Sequence, residues 1–289
     1  MIFQPSKAIP DLLAGLFDDA SVFPPGNMPL EQAVLTHIAH MTSAHRRLVG
    51  PFILKAADLG RLAALTDELP VAAFPVSLTV PLPDLAAALT EAERTEALEL
   101  VGLEVTVPDE VAPQDIVPAL GKALGWRTVP VYVEIPRDQR RYPLLEELAA
   151  AGLMAKFRTG GVRAELYPDE IELAAAIGAA VEAGVPFKAT AGLHHALRNT
   201  DPDTGFEQHG FLNLLAATDA ALDGADPDEL VELLAERSSS RLGVKPVPLR
   251  ARALFRSFGT CSIAEPAREL AALGMLPETV ITDLIEESP

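Results

Sequence analysis

The chain has a single cysteine, Cys261, in 289 residues. No disulfide can form within it, which fits a reducing compartment. Positive charge is scarce: 23 Lys and Arg stand against 41 Asp and Glu, a formal net charge of −18. A chain this acidic is a poor general binder of nucleic acid or anionic membrane, although it can hold a local cationic pocket. Long apolar runs are missing too. The most apolar stretch, residues 71–83, carries three prolines and is too short to span a bilayer. The N-terminal stretch lacks a signal peptide's charged start and apolar core. These absences predict a cytoplasmic protein that works on a small molecule, with no nucleic-acid or membrane partner. No cofactor is expected.

What is present fits a large core. Hydrophobic residues make up 49% and charged residues 22%, a balance that excludes disorder. Apolar runs of strand length alternate with helix-period segments. Strands are expected at 15–22, 51–56, 71–80, 98–107, 129–135, 154–160, 186–192 and 256–262. Helices are expected at 30–43, 58–68, 84–94, 113–125, 142–152, 168–184 and 265–274. Gly125, Gly152 and Gly184 each sit where a helix hands over to a strand, as C-cap glycines do. Eight β-then-α units predict a single (β/α)8 barrel over 1–289. An open doubly wound sheet would want a Gly-rich loop after its first strand, and "FPPGNMP" is not one. The connection from strand seven to strand eight is abnormally long. Residues 193–255 read as an inserted lid with helices at 211–222 and 226–237.

Barrel enzymes place their chemistry at the C-terminal ends of strands, and interior side chains alternate along each strand. The candidates are then Asp18 and Asp19, Lys55, Ser77 and Thr79, Glu104 and Thr106, Tyr132 and Glu134, Lys156 and Arg158, and Lys188 and Thr190. Four cations and several carboxylates would share one cavity, where buried charges must be paired or lose their charge. A satisfied ion-pair layer without chemistry is the plain alternative. Two lysines on adjacent strands have a specific use. Burial and a second cation both destabilise an ammonium, and the neutral amine can attack a carbonyl to form a Schiff base.

Three segments carry a resemblance. "AKFRTGG" around Lys156, "PFKATAGLHH" around Lys188 and "SFGTCS" around Cys261 resemble, in order and spacing, motifs of the deoxyribose-phosphate aldolases. These are class I, Schiff-base barrels. The resemblance covers the second half of the chain, and the two lysines lie 32 residues apart. It implies Lys156 as Schiff-base former, Lys188 as the neighbour that lowers its pKa, and Glu104 as the acidic partner. It also implies a phosphate cradle at Gly160, Gly161, Gly192, Gly259 and Ser262, beside Thr159 and Thr190. Backbone N–H groups at glycines make such a cradle physically sensible. The sequence departs from the family at Arg158, at Lys55, at Glu104 in place of aspartate, and in the long insertion. The expected substrate is therefore a small anionic carbonyl compound other than deoxyribose phosphate. Lys55, Arg158, Glu134 and Asp18 would help bind it. A homo-oligomer is expected only by analogy with other barrels.

Two other classes stay open. His194, His195 and His209 with nearby carboxylates would suit a metal-dependent hydrolase or lyase. The barrel could also bind a sugar phosphate without catalysis. His194 is expected to line the pocket or shuttle a proton, and His195 to pack under the loop. His209 and Asn213, taken as one turn apart on a helix, are expected to anchor the insertion. His37, His40 and His45 read as solvent-facing, Cys261 as a packing residue, and Trp126, just before a strand, as packed on the barrel's inactive face.

Overall fold

The computed structural model describes residues 9–66, 73–242, 249–282 and 284. In chain order the elements are β1 (Phe17–Asp19), α1 (Leu30–Thr42), β2 (Val49–Lys55), α2 (Leu59–Thr66), β3 (Phe74–Pro81), α3 (Leu85–Ala92) and β4 (Leu98–Thr106). Then come α4 (Pro113–Leu124), β5 (Val131–Glu134), α5 (Arg141–Ala151), β6 (Met154–Arg158), α6 (Glu170–Glu182) and β7 (Phe187–Thr190). The rest are β8 (Asn199–Thr200), β9 (Glu207–Gln208), α7 (Phe211–Leu222), α8 (Pro227–Ala235), α9 (Ala251–Leu254), β10 (Phe255–Thr260), α10 (Ala264–Ala272) and α11 (Glu278–Ile281). Eight strands close into a barrel in the order β1, β10, β7, β6, β5, β4, β3, β2. The chain is a (β/α)8 barrel. The strands expected at 15–22 and 186–192 are shorter than their apolar runs suggest. The short β8–β9 hairpin, α9 and α11 went unforeseen. Parts of the expected elements at 58–68 and 71–80 and of the loop 238–248 lie outside the described residues.

The helices show why the sequence folds this way. Leu85 and Leu89 in α3, Ile116 and Leu120 in α4, and Leu144 and Leu148 in α5 are buried pairs four residues apart. That spacing puts them on one face, which covers the strands. Gly125, Gly152 and Gly184 all take positive φ, 62°, 67° and 66°, the cheap conformation for a residue without Cβ. Pro113 and Pro227 open α4 and α8, where a missing N–H costs nothing.

Contacts divide the chain into two units. One comprises Pro51–Phe157 and Ala179–Lys188; the other comprises Met1–Gly50, Arg158–Gly178 and Ala189–Pro289. In the first, β3 to β6 pair in parallel sequence order. A bulge in the β3–β4 ladder skips Val101, so that Ser77 meets Gly102 and Thr79 meets Glu104. Without that extra residue Thr79 would face Leu103, and the polar side chains of the two strands would fall out of step. In the second unit β1 pairs with β10 in parallel. Among the described residues, no helix is long and apolar enough to cross a membrane.

Candidate functional site

The lysine cluster belongs to the first unit. Register sets a row of Thr79, Glu104 and Tyr132 across β3, β4 and β5, and places Glu134 of β5 beside Lys156 of β6. Lys156, Lys188 and Glu104 are all buried, at 4%, 1% and 1% exposure. Lys188 Nζ lies 2.5 Å from Glu104 Oε1, and Lys156 Nζ lies 3.1 Å from Glu104 Oε2. One carboxylate therefore carries two ammonium groups. Lys156 Nζ also lies 3.0 Å from Glu134 Oε2. The Lys188 ammonium sits 5.5 Å from the centre of the Tyr132 ring, a cation–π distance. Burial pushes the Glu104 carboxyl up, but Lys188 and then Lys156 outweigh it and hold it at about 2. Glu104 is thus a permanent anion at neutral pH. The Glu134 side chain keeps 17% exposure.

The strand-end positions of these residues were legible in the sequence, and the fold brings four of them into contact. Other candidates are used differently. Lys55, expected to converge with the other cations, ends β2 with an exposed side chain. Thr106 is exposed as well. Arg158 is half-buried at the end of β6.

The second unit holds a cavity of about 420 Å³ formed mainly by loops after β1, β6, β7 and β10 and by the β8–β9 hairpin. Gly161, Gly192 and His194 line it; Tyr167, Phe206 and Gln208, which sequence reasoning did not single out, line it too. The Tyr167 ring explains two glycines. A Cβ on Gly160 would lie 2.7 Å from Tyr167 Cε1 and 2.8 Å from Gly192 Cα, and one on Gly192 would meet the same ring carbon at 2.7 Å. Gly192 has φ 70°, and Ala191 before it also sits in the left-handed region at φ 66°. A non-glycine residue there carries strain. Thr159 holds that turn: its N–H donates to Thr190 O at 2.9 Å and its hydroxyl to Ala191 O at 2.6 Å. Gly259 has only ordinary contacts around an added Cβ, with Ala20 and Thr190 at 3.8 Å. Ser262 accepts from the Glu265 N–H at 3.1 Å and so helps start α10.

His194 Nδ1 lies 3.4 Å from Cys261 Sγ. Burial, followed by the neighbouring His195, pushes the His194 imidazole down to about 4, so it is neutral at pH 7. His195 goes the other way, raised mainly by its 2.6 Å hydrogen bond to Glu269. Instead of packing under a loop, it lines the cavity. Cys261 reaches the cavity too and is only half-buried.

Several expectations need correction. His37, His40 and His45 are all fully buried, at 0% exposure. His37 Nδ1 lies 2.9 Å from Asp19 Oδ2, and His40 Nδ1 lies 2.8 Å from His45 Nε2. Their polar partners lie in β1, in α1 itself and just after α1, which the spacing of α1 could not reveal. Asp18, expected to touch substrate, is 2% exposed and accepts from Ser257 Oγ at 2.6 Å. Trp126, expected to pack on the inactive face, is 83% exposed, with the Arg127 guanidinium 5.5 Å from its ring. His209 precedes α7 instead of lying on it. It does anchor the insertion: its Nε2 lies 2.8 Å from Pro168 O, and Arg198 Nη1 lies 3.4 Å from its Nδ1. Asn213 bonds Arg198 N, Leu233 O and Glu236 O. With His209 so committed, the three-histidine metal site does not assemble. Among the described residues no three His, Cys, Asp or Glu side chains gather as metal ligands.

No family model matches this chain, and no curated protein matches it. Among solved structures, one from Coccidioides immitis, provisionally described as a dihydrodipicolinate synthase family protein, aligns over 96% of this chain and 99% of its own. The identity is 10% and the TM-score 0.39, a likeness too slight to speak to activity.

Proposed function

We propose that this barrel is a Schiff-base-forming lyase acting on a small carbonyl compound, with Lys156 as the nucleophile. The supporting observation is the pair of buried lysines on one buried carboxylate. A single buried Lys–Glu pair is ordinary structural pairing. A second lysine on the same carboxylate, with a further carboxylate 3.0 Å from its Nζ, has the adjacent base that activates an amine.

The two lysines differ in ways that assign their roles. Lys188 has the shorter bond to Glu104, the lower exposure and the Tyr132 ring face. It is the less accessible of the two to a substrate. Lys156 is shared between Glu104 and Glu134, and Glu134 reaches solvent. In the proposed sequence, Glu134 takes a proton from the Lys156 ammonium. The free amine adds to the substrate carbonyl carbon. The carbonyl oxygen leaves as water, and the resulting iminium draws electrons from the bond between its neighbouring carbon and the next. Glu134, having given its proton to the departing water, takes the proton of the hydroxyl on that next carbon, which leaves as an aldehyde while the electron pair of the broken bond stays in an enamine. Protonation and hydrolysis then return the lysine. Glu104 remains ionised throughout and steadies the positive charge on both nitrogens.

Reductive trapping tests this reading. The protein is incubated with aldehydes, keto acids and sugar phosphates, reduced with borohydride, and mapped by mass spectrometry. The expected result is an adduct at Lys156 that disappears in Lys156→Ala. An adduct confined to Lys188 would reverse the roles. A panel-wide lack of lysine adducts would point to a satisfied ion-pair layer.

A further inference from the structure

The cavity of the second unit has an electrostatic character at odds with the phosphate expected there. Among the described residues no lysine or arginine lines it, whereas Asp201, Asp203 and Glu265 do. Asp201 is held ionised mainly by backbone and hydroxyl hydrogen bonds from Thr204. His194 is neutral at pH 7, and any charge on His195 is balanced by Glu269, 2.6 Å away. Glu265 Oε1 stands 4.0 Å from His195 Nε2. An anion placed here would meet carboxylates without a compensating lysine or arginine.

Gln208 points to what would fit. It lines the cavity, is 4% exposed, and donates from Nε2 to Asp201 Oδ2 at 3.3 Å. Its Oε1 is buried and has no hydrogen-bond partner. Turning the amide over would not cure this. An ionised Asp201 can only accept, so the flip would set two acceptors against each other and orphan the amide nitrogen instead. Oε1 lacks a donor, and a ligand that draws the Gln208 side chain toward the cavity can bring it. Tyr167 and Phe206 add two aromatic rings to the lining, with centroids 5.5 Å apart and planes tilted by 59°. Aromatic faces beside carboxylates attract organic cations.

We propose that this cavity binds a small organic cation with N–H donors, an aliphatic amine or a guanidinium. One N–H is given to Gln208 Oε1, the charge is met by Asp203 and Glu265, and the carbon skeleton lies against Tyr167 and Phe206. The volume, about 420 Å³, suits a compact molecule. This inference stands on the cavity alone and is independent of the lysine pair.

The test is calorimetric titration of the full chain with butylguanidinium at low ionic strength, with inorganic phosphate as the opposing probe. Neither carries a carbonyl, so a failed Schiff-base reading would leave the result untouched, and binding should persist in Lys156→Ala. The expected outcome is saturable one-to-one binding, weakened about fivefold or more by Asp203→Asn and by Gln208→Leu. Asp203 is exposed, so its variant keeps the test valid if Gln208→Leu folds poorly. Absence of saturable binding overturns the proposal. So does binding unchanged in a folded variant of either residue, which would reduce it to general attraction by an acidic protein. Saturable phosphate binding in place of the cation would restore the anion cradle and overturn it equally.

Discussion

Glu104 is the residue on which the lysine cluster turns. It is 1% exposed and touches both Nζ atoms. A buried pair is weak evidence for net stability, but removing one member leaves uncompensated charge. Glu104→Gln removes the anion and keeps the shape. The variant is expected to lose about 3–5 kcal/mol of folding stability, measured by urea denaturation at pH 7. A change under about 1 kcal/mol would show that both lysines shed their charge without cost and that the carboxylate holds neither. The residue type and its strand were legible from alternation along β4. That one carboxylate would touch both Nζ atoms was not, because the contact depends on how far side chains reach from β4 past β5 to β6 and β7.

At the scale of elements, helix ends and glycine turns were the clearest marks in the sequence. Asp226 shows this for α8. Its carboxylate accepts from the Glu229 N–H at 3.0 Å, and Glu229 returns the bond to the Asp226 N–H at 3.0 Å, a complete capping box. Losing such a cap costs about 1 kcal/mol. Asp226→Ala is expected to lower the thermal midpoint by a few degrees, with lysine adduct formation unchanged. A melting curve identical to the parent's would mean that α8 is held by its packing, through Leu230 and Leu234, and not by its cap. The turn at Gly160 and Gly192 was also visible as glycine, but its cause was not. Tyr167 follows β6 in the chain and meets Gly192, which follows β7, only after both strands are in place.

Across the whole molecule, buried histidines set a pH window. His209 is 0% exposed, and burial, despite its bond to Pro168 O, keeps it down to about 4. The unfolded chain takes up this proton as pH falls below about 6.5, whereas the folded chain resists until about 4. Stability is therefore full above 6.5 and falls between 6.5 and 4, by up to about 3 kcal/mol for this residue. His194 works in the same direction. Glu104, with its pKa lowered from 4.5 to about 2, adds stability that is lost as pH falls from about 4.5 to about 2. Urea midpoints at pH 7.5 and pH 5 should drop less in His209→Gln than in the parent chain. Equal drops would show that other groups control acid sensitivity.

The sequence by itself determined the alternation of strands and helices, the barrel that follows from it, and the two strands that carry Lys156 and Lys188. These are written locally, in apolar period, glycine caps and prolines, and local patterns survive without knowledge of distant contacts. Only the tertiary structure decided that His37, His40 and His45 are buried, because their partners include Asp19 on another element. It alone decided that Trp126 stands in solvent and that Glu134 flanks Lys156. It also assembled a cavity from Tyr167, Asp203, Phe206, Gln208 and Glu265, whose sequence separations obey no period. Burial and charge pairing are properties of neighbours in space, and a chain reveals such neighbours only when it folds.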